Sequence, residues 1–169
     1  MNVITPLINQ FIHQYGQRLT ACFLLCCMAV FPVQALERGD KVPEHIAEQM
    51  ALDPNKITVV DFFASWCVSC RIELPEINEL SQHLNDPQVA FVGVEVDEEL
   101  VLAEQFLAQM QLKFPVVMDQ NQQVISAFEP LGMPALYYVY NNQILGVRFG
   151  AIPDIGQVVI NDLATLRGQ

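Results

Sequence analysis

Ile57-Thr58-Val59-Val60-Asp61-Phe62-Phe63-Ala64-Ser65-Trp66-Cys67-Val68-Ser69-Cys70-Arg71-Ile72-Glu73-Leu74-Pro75 passes from one side-chain period to another within nineteen residues. The run Ile57 to Phe63 is β-branched and aromatic, too apolar for a half-exposed strand, and reads as a buried central strand. Beyond it Leu74, Ile77, Leu80 and Leu84 recur at spacings of three, three and four, the signature of one helix face, with Glu73, Glu76 and Glu79 around the rest. Cys67 and Cys70 fall at the junction, where the helix begins. Two cysteines so spaced can close a small disulfide ring. The first of them meets unpaired backbone N–H groups and the positive end of the helix dipole, which favour the nucleophilic thiolate over the thiol.

Further along, strands and helices alternate. The pattern predicts a strand over Val89 to Val96, a helix over Glu98 to Met110, a short strand over Phe114 to Met118 and a short helix over Gln122 to Phe128. Ala135 to Tyr140 and Ile144 to Phe149 read as a hairpin turning at Asn141-Asn142, and Pro153 opens a terminal helix to about Leu166. This order predicts an α/β fold, a mixed central sheet covered by helices on both faces. No internal repeat or low-complexity tract interrupts it.

The first 35 residues contain no Asp or Glu and a single Arg18, followed by a mostly apolar stretch from Leu19 to Val33. Val33-Gln34-Ala35 supplies small residues at alternate positions, so 1–35 reads as a secretory signal peptide, with an uncleaved membrane anchor as the alternative. Pro32 breaks the apolar run before it reaches the roughly 20 residues of a spanning helix. Residues 36–169 then form one domain, large enough for one core. Cys22, Cys26 and Cys27 would leave with the leader, and the remaining domain would carry only Cys67 and Cys70. One close pair in an exported domain points to redox work rather than to a stapled scaffold. Seven Lys and Arg face nineteen acidic residues over 36–169, a net charge of −12. No basic patch is visible, which argues against nucleic acid as a partner.

Other chemistries for the pair fit poorly. His83 follows Cys67 and Cys70 without the second histidine of a zinc finger, and Arg71 stands where haem attachment needs histidine, so no metal or cofactor is assigned. A carboxylate inside a buried strand has its pKa raised unless it is paired, so Asp61 becomes a candidate to take the proton of Cys70. A purely structural, hydrogen-bonded carboxyl is the competing reading. Pro75 lacks an N–H for the Arg71 carbonyl and should bend the helix. His45 and His83 read as surface residues.

The segment Val60 to Pro75 resembles the active-site region of thioredoxin-fold proteins, and its Cys-Arg-x-Glu-x-Pro continuation is similar to the exported TlpA/ResA-like branch. Gly132-Met133-Pro134 resembles the cis-proline loop that faces the disulfide in that fold, and the extra helix and strand before it match the same branch. The resemblance covers roughly residues 40 to 167. It implies a thioredoxin fold with a helix–strand insertion before the cis-proline loop, Cys67 as attacking and Cys70 as resolving thiol. It further implies that Glu73 borders the cysteines and tunes them, although a glutamate on an acidic helix otherwise reads as solvated surface. Trp66, Met133 and Pro134 become substrate-binding residues by the same resemblance, with core packing as the alternative for Trp66. The implied activity is a periplasmic thiol:disulfide oxidoreductase that reduces protein disulfides with electrons from a membrane dithiol donor. Ala135 stands where cytochrome c maturation relatives carry glutamate, which weakens a dedicated haem-protein role. The alternatives are a thiol peroxidase, which would want threonine where Ala64 stands, and a binding or chaperone-like module without turnover.

Overall fold

The computed structural model describes residues 35–168. The leader expected over 1–35 therefore lies almost wholly outside the described residues. Five strands form one mixed sheet in the order β3-β2-β1-β4-β5. β1 (Ile57–Phe63) is buried along its whole length, as its continuous apolar run requires. It pairs in parallel with β2 (Val89–Glu95), and antiparallel with β4 (Ala135–Tyr140). β3 (Val116–Met118) extends the parallel side and β5 (Gln143–Phe149) the antiparallel side. The β4–β5 hairpin turns at Asn141 and Asn142, whose φ values of 49° and 57° suit the tight turn between twisted strands.

Five helices cover the sheet: α1 (Glu44–Gln49), α2 (Val68–His83), α3 (Leu100–Met110), α4 (Gln123–Phe128) and α5 (Ile155–Arg167). Neighbouring strand residues point to opposite faces, and Phe62 and Phe63 show which helix lies where. Phe62 packs on Phe128 of α4 with ring centroids 5.0 Å apart, and Phe63 on Phe106 of α3 at 5.9 Å. α3 and α4 thus cover opposite faces. α2 packs against α3 and α5, and α1 against α4, completing a three-layer fold. Gly93 makes room on the first of these faces, because a Cβ there would lie 2.8 Å from Phe63 Cε1 and 3.1 Å from Phe114 Cε2.

The observed elements depart from the expected ones at their ends. α3 starts at Leu100 rather than Glu98, since Glu99 is still extended at the N-cap. β3 starts at Val116 rather than Phe114: Pro115 lies between them and cannot donate a ladder hydrogen bond. α5 starts after Asp154, whose φ of 53° marks a turn, so Pro153 precedes the helix instead of opening it. α1 was not foreseen; it buries only Ile46 and Ala47, too few for a periodic signal. α2 runs through Pro75 as one element.

Before β5's outer edge, residues 39–42 run alongside. Gly39 N–H donates to Ile144 C=O at 2.8 Å, Ile144 N–H to Asp40 C=O at 2.9 Å, and Val42 N–H to Asn142 C=O at 2.8 Å.

Candidate active site

Cys67 is the N-cap of α2 and is joined to Cys70 in the first turn by a disulfide, with Cα atoms 5.3 Å apart. Its Sγ accepts the Cys70 N–H at 3.2 Å, and Ser69 Oγ lies 3.8 Å away. The helix therefore presents one of its unpaired amide donors to the sulfur that sequence reasoning made the nucleophile. Cys70 is 0% exposed and Cys67 5%, so Cys67 is the less buried residue of the pair. Trp66, Val68 and Ile72 are exposed beside it.

Asp61 lies on the same strand face as Val59 and Phe63, the face that α2 and α3 cover. It is buried; desolvation and then the charge of Glu73 push its carboxyl well above the usual range. Glu73 is not solvated surface: it is 7% exposed, and its Oε1 accepts the N–H of Ile152 from the loop before α5. Burial raises the Glu73 pKa, the Ile152 N–H opposes that rise, and Glu76 adds to it. Asp61 and Glu73 are thus a coupled pair of reluctant carboxylates beneath the first turns of α2.

The Met133–Pro134 bond is cis. Ala135 pairs with Phe62, which sets Pro134 at the end of β1 from which the chain continues to Cys67. The Pro134 carbonyl accepts the Gly150 N–H at 2.8 Å. Met133 is half-buried and Leu131, in the same loop, is exposed. His83 is an exposed last-turn residue within hydrogen-bond distance of the Glu79 carbonyl, and His45 lies on α1. Among the described residues, no group of three His, Cys, Asp or Glu could hold a metal ion.

Sequence reasoning missed a second cluster of carboxylates. Glu95 ends β2 opposite Phe63, and Asp97 follows two residues later. Asp97 accepts the Ser65 N–H at 2.8 Å and the Ser65 hydroxyl at 3.0 Å. On the other side of Ser65, its carbonyl accepts Arg71 Nε at 3.3 Å and Arg71 Nη2 at 3.0 Å. Arg71 in turn lies 4.6 Å over the Phe106 ring and donates to Gln109. The sequence signal was present: two acids at alternate positions end an otherwise apolar parallel strand, at the sheet end where α/β sites gather.

A thioredoxin fold with a Cys-x-x-Cys disulfide at the N-terminus of its active-site helix defines the thioredoxin-like class of thiol:disulfide oxidoreductases. Residues 36–148 match the sequence model of the AhpC/TSA family, and the chain belongs to that family. It is 27% identical over 139 residues to the thiol-disulfide oxidoreductase ResA of Oceanobacillus iheyensis, a match covering 75% of this chain and 72% of that protein. A ResA of Bacillus thuringiensis subsp. konkukian is 25% identical over 63% of this chain and 65% of its own length. Among solved structures, a thiol:disulfide interchange protein assigned as DsbE from Chlorobium tepidum superposes with a TM-score of 0.67. That likeness covers 78% of this chain and 99% of the other at 24% identity, and establishes the shared fold.

Proposed function

We propose that this chain is an exported, periplasmic oxidoreductase that reduces disulfides in proteins through Cys67 and Cys70. The observation that carries the reading is the Cys70 N–H aimed at Cys67 Sγ in the first turn of α2. In the reduced protein that amide would stabilise a thiolate on Cys67. The thiolate attacks a substrate sulfur, a mixed disulfide forms, and the substrate's other sulfur leaves as a thiolate. Cys70 then loses its proton to the ionised form of Asp61, attacks Cys67 Sγ, and releases the second substrate sulfur. Two electrons pass to the substrate and the Cys67–Cys70 disulfide is left behind. A membrane dithiol donor would return it to the dithiol by the reverse exchange.

Glu73 would hold Asp61 in its proton-accepting range, and Trp66, Met133 and Pro134 would form the surface on which a substrate strand docks. Ala64, buried and apolar, offers no hydroxyl where a thiol peroxidase would want one. Among the described residues, no helix is long and apolar enough to cross a membrane. A cleaved leader over 1–35 would send residues 36–169 to the periplasm as a free domain.

Reduction of insulin by the dithiol form, together with the equilibrium of the Cys67–Cys70 couple against glutathione, tests the activity and its direction. Turnover with a potential below that of glutathione supports a reductase. No turnover would leave a binding module, and a potential well above glutathione's would make the chain an oxidant. Cell fractionation with N-terminal sequencing of the isolated protein tests the leader.

A further inference from the structure

Ser65 is held from both sides. Its N–H and hydroxyl go to Asp97, its carbonyl to the Arg71 guanidinium, and the next two residues in the chain are Trp66 and Cys67. No atom of either cysteine takes part in the clamp, and it sits directly before Cys67. Behind it stands Glu95, whose side chain is fully buried. Glu95 Oε1 accepts the Asp97 N–H at 3.2 Å, and Oε2 has no hydrogen-bond partner.

We propose that Glu95 is a positioning residue for the Cys67–Cys70 centre, its buried carboxyl bracing Asp97 as Asp97 holds the clamp on Ser65 closed. This rests on the redox reading above and assigns a second, separate carboxylate pair to the same site. The charges around Glu95 support it. Burial, with the side chain and charge of Asp97 beside it, pushes Glu95 up to about 8, against the Asp97 N–H, which favours the carboxylate. Burial also opposes ionisation of Asp97, but the neighbouring Glu95 side chain, the hydrogen bonds from Ser65 and the charge of Arg71 bring its carboxyl below the ordinary value. The pair therefore holds one negative charge at neutral pH, and that charge sits on the residue that grips Ser65.

Asp61 on β1 and Glu73 on α2, both raised by burial, are the other titrating carboxyls at this centre. From the segment after β3, Asp119 donates its N–H to the Glu95 carbonyl at 2.8 Å. Its own carboxylate is turned to the N–H groups of Val124 and Ile125 at 3.0 and 2.8 Å. From β1 the cross-strand neighbour is Phe63, and from α3 it is Phe106 packed on Phe63. Arg71 from α2 is the cation on this side, and it acts through Asp97 and Ser65. When Glu95 gives up its proton to solvent, a second carboxylate appears in a buried place beside Asp97. The two must separate, and Ser65 is released with them.

Trp66 is the chain's single tryptophan and directly follows Ser65, so its fluorescence reads the clamp. The experiment uses the oxidised protein, in which neither cysteine titrates, over roughly pH 6 to 10, below and about the range where tyrosines ionise. The expected result is a Trp66 transition with a midpoint near 8 that is lost in Glu95→Gln and kept in Asp61→Asn. In the reduced protein, Cys67 alkylation should follow a single thiol titration in Glu95→Gln and depart from it above that midpoint in the wild type. An unchanged transition in Glu95→Gln, or no transition in the wild type, overturns the proposal. Should Glu95→Gln fail to fold, the carboxyl carbon of Glu95 and the indole N–H of Trp66 are followed by NMR in the wild type. Co-titration supports the proposal, and titration of Glu95 with an unmoved Trp66 overturns it. None of these readouts needs turnover, so failure of the insulin and glutathione tests would be a separate result.

Discussion

The Cys70 N–H donates to the sulfur of Cys67 across 3.2 Å, so the residue that caps α2 is also the proposed attacking thiol. The donor stays in place when the disulfide opens, since it belongs to the helix backbone. Cys70→Ser keeps it and removes only the resolving thiol. Mixed disulfides with protein substrates should therefore accumulate on Cys67 in that variant and be absent from Cys67→Ser, as non-reducing electrophoresis would show. Equal trapping by both variants would reverse or dissolve the assigned roles.

Asp61 carries opposite consequences for stability and rate. Its native pKa is raised by burial and by Glu73, so the folded protein holds a proton that the unfolded chain releases. Stability then falls as pH rises from the ordinary carboxylate range, about 4, toward the raised native value. Asp61→Asn removes that loss. Its Tm should exceed the wild type's at neutral pH and approach it near pH 4, the unfolded-state value of about that size. The same substitution should slow the resolving step of disulfide reduction in stopped-flow measurements. A wild-type rate would leave Asp61 with a structural role alone.

Glu73→Gln should lower the pKa of Asp61, because the charge of Glu73 is the second cause of its rise. Carboxyl carbon shifts read this directly. The glutamine can still offer a carbonyl oxygen to the Ile152 N–H, so the loop before α5 should keep its place. Unmoved titration of Asp61 would separate the two carboxyls.

Asp162 ties β4 and β5 to α5. Its carboxylate accepts the Tyr138 hydroxyl at 2.7 Å and both Arg148 Nε and Nη2, at 2.9 and 2.7 Å. Burial opposes its ionisation, but these bonds prevail and hold its pKa below the ordinary value. The stabilisation is therefore present at neutral pH and lost as pH falls below the usual aspartate range. Asp162→Asn should cost about 1 to 2 kcal/mol in urea denaturation at neutral pH, the exposed side of Arg148 discounting the ion pair. The difference should shrink in acid, while insulin turnover is unchanged.

The segment around the cysteines was legible because two periods meet there, and Asp61 because an acid inside an apolar strand stands out. Glu73 was harder. Its neighbours Glu76 and Glu79 make it look like one residue of a solvated face, and the N–H that receives it belongs to Ile152, 79 residues away. Glu95 and Asp97 were visible as acids, but the β1–β2 register that sets Glu95 opposite Phe63 is a tertiary fact. Element ends moved where a proline or a positive φ intervened, as at Pro115 and Asp154. The succession of elements along the chain and the closing hairpin followed from alternation and from Asn141-Asn142.

The backbone of residues 39–42 closes the hydrogen-bond ladder of β5 at Ile144, on a strand that would otherwise offer another chain an open edge. The opposite edge is guarded by brevity, since β3 has three residues and Pro115 stands before it. The short stretch ahead of α1 is thus a guard against self-association, and it fixes how far the N-terminus can be trimmed. Processing that ends before Gly39 leaves the start of β5 covered. A cut beyond Val42 would unmask the backbone of Ile144 and leave β5 the kind of open edge on which another chain can pair.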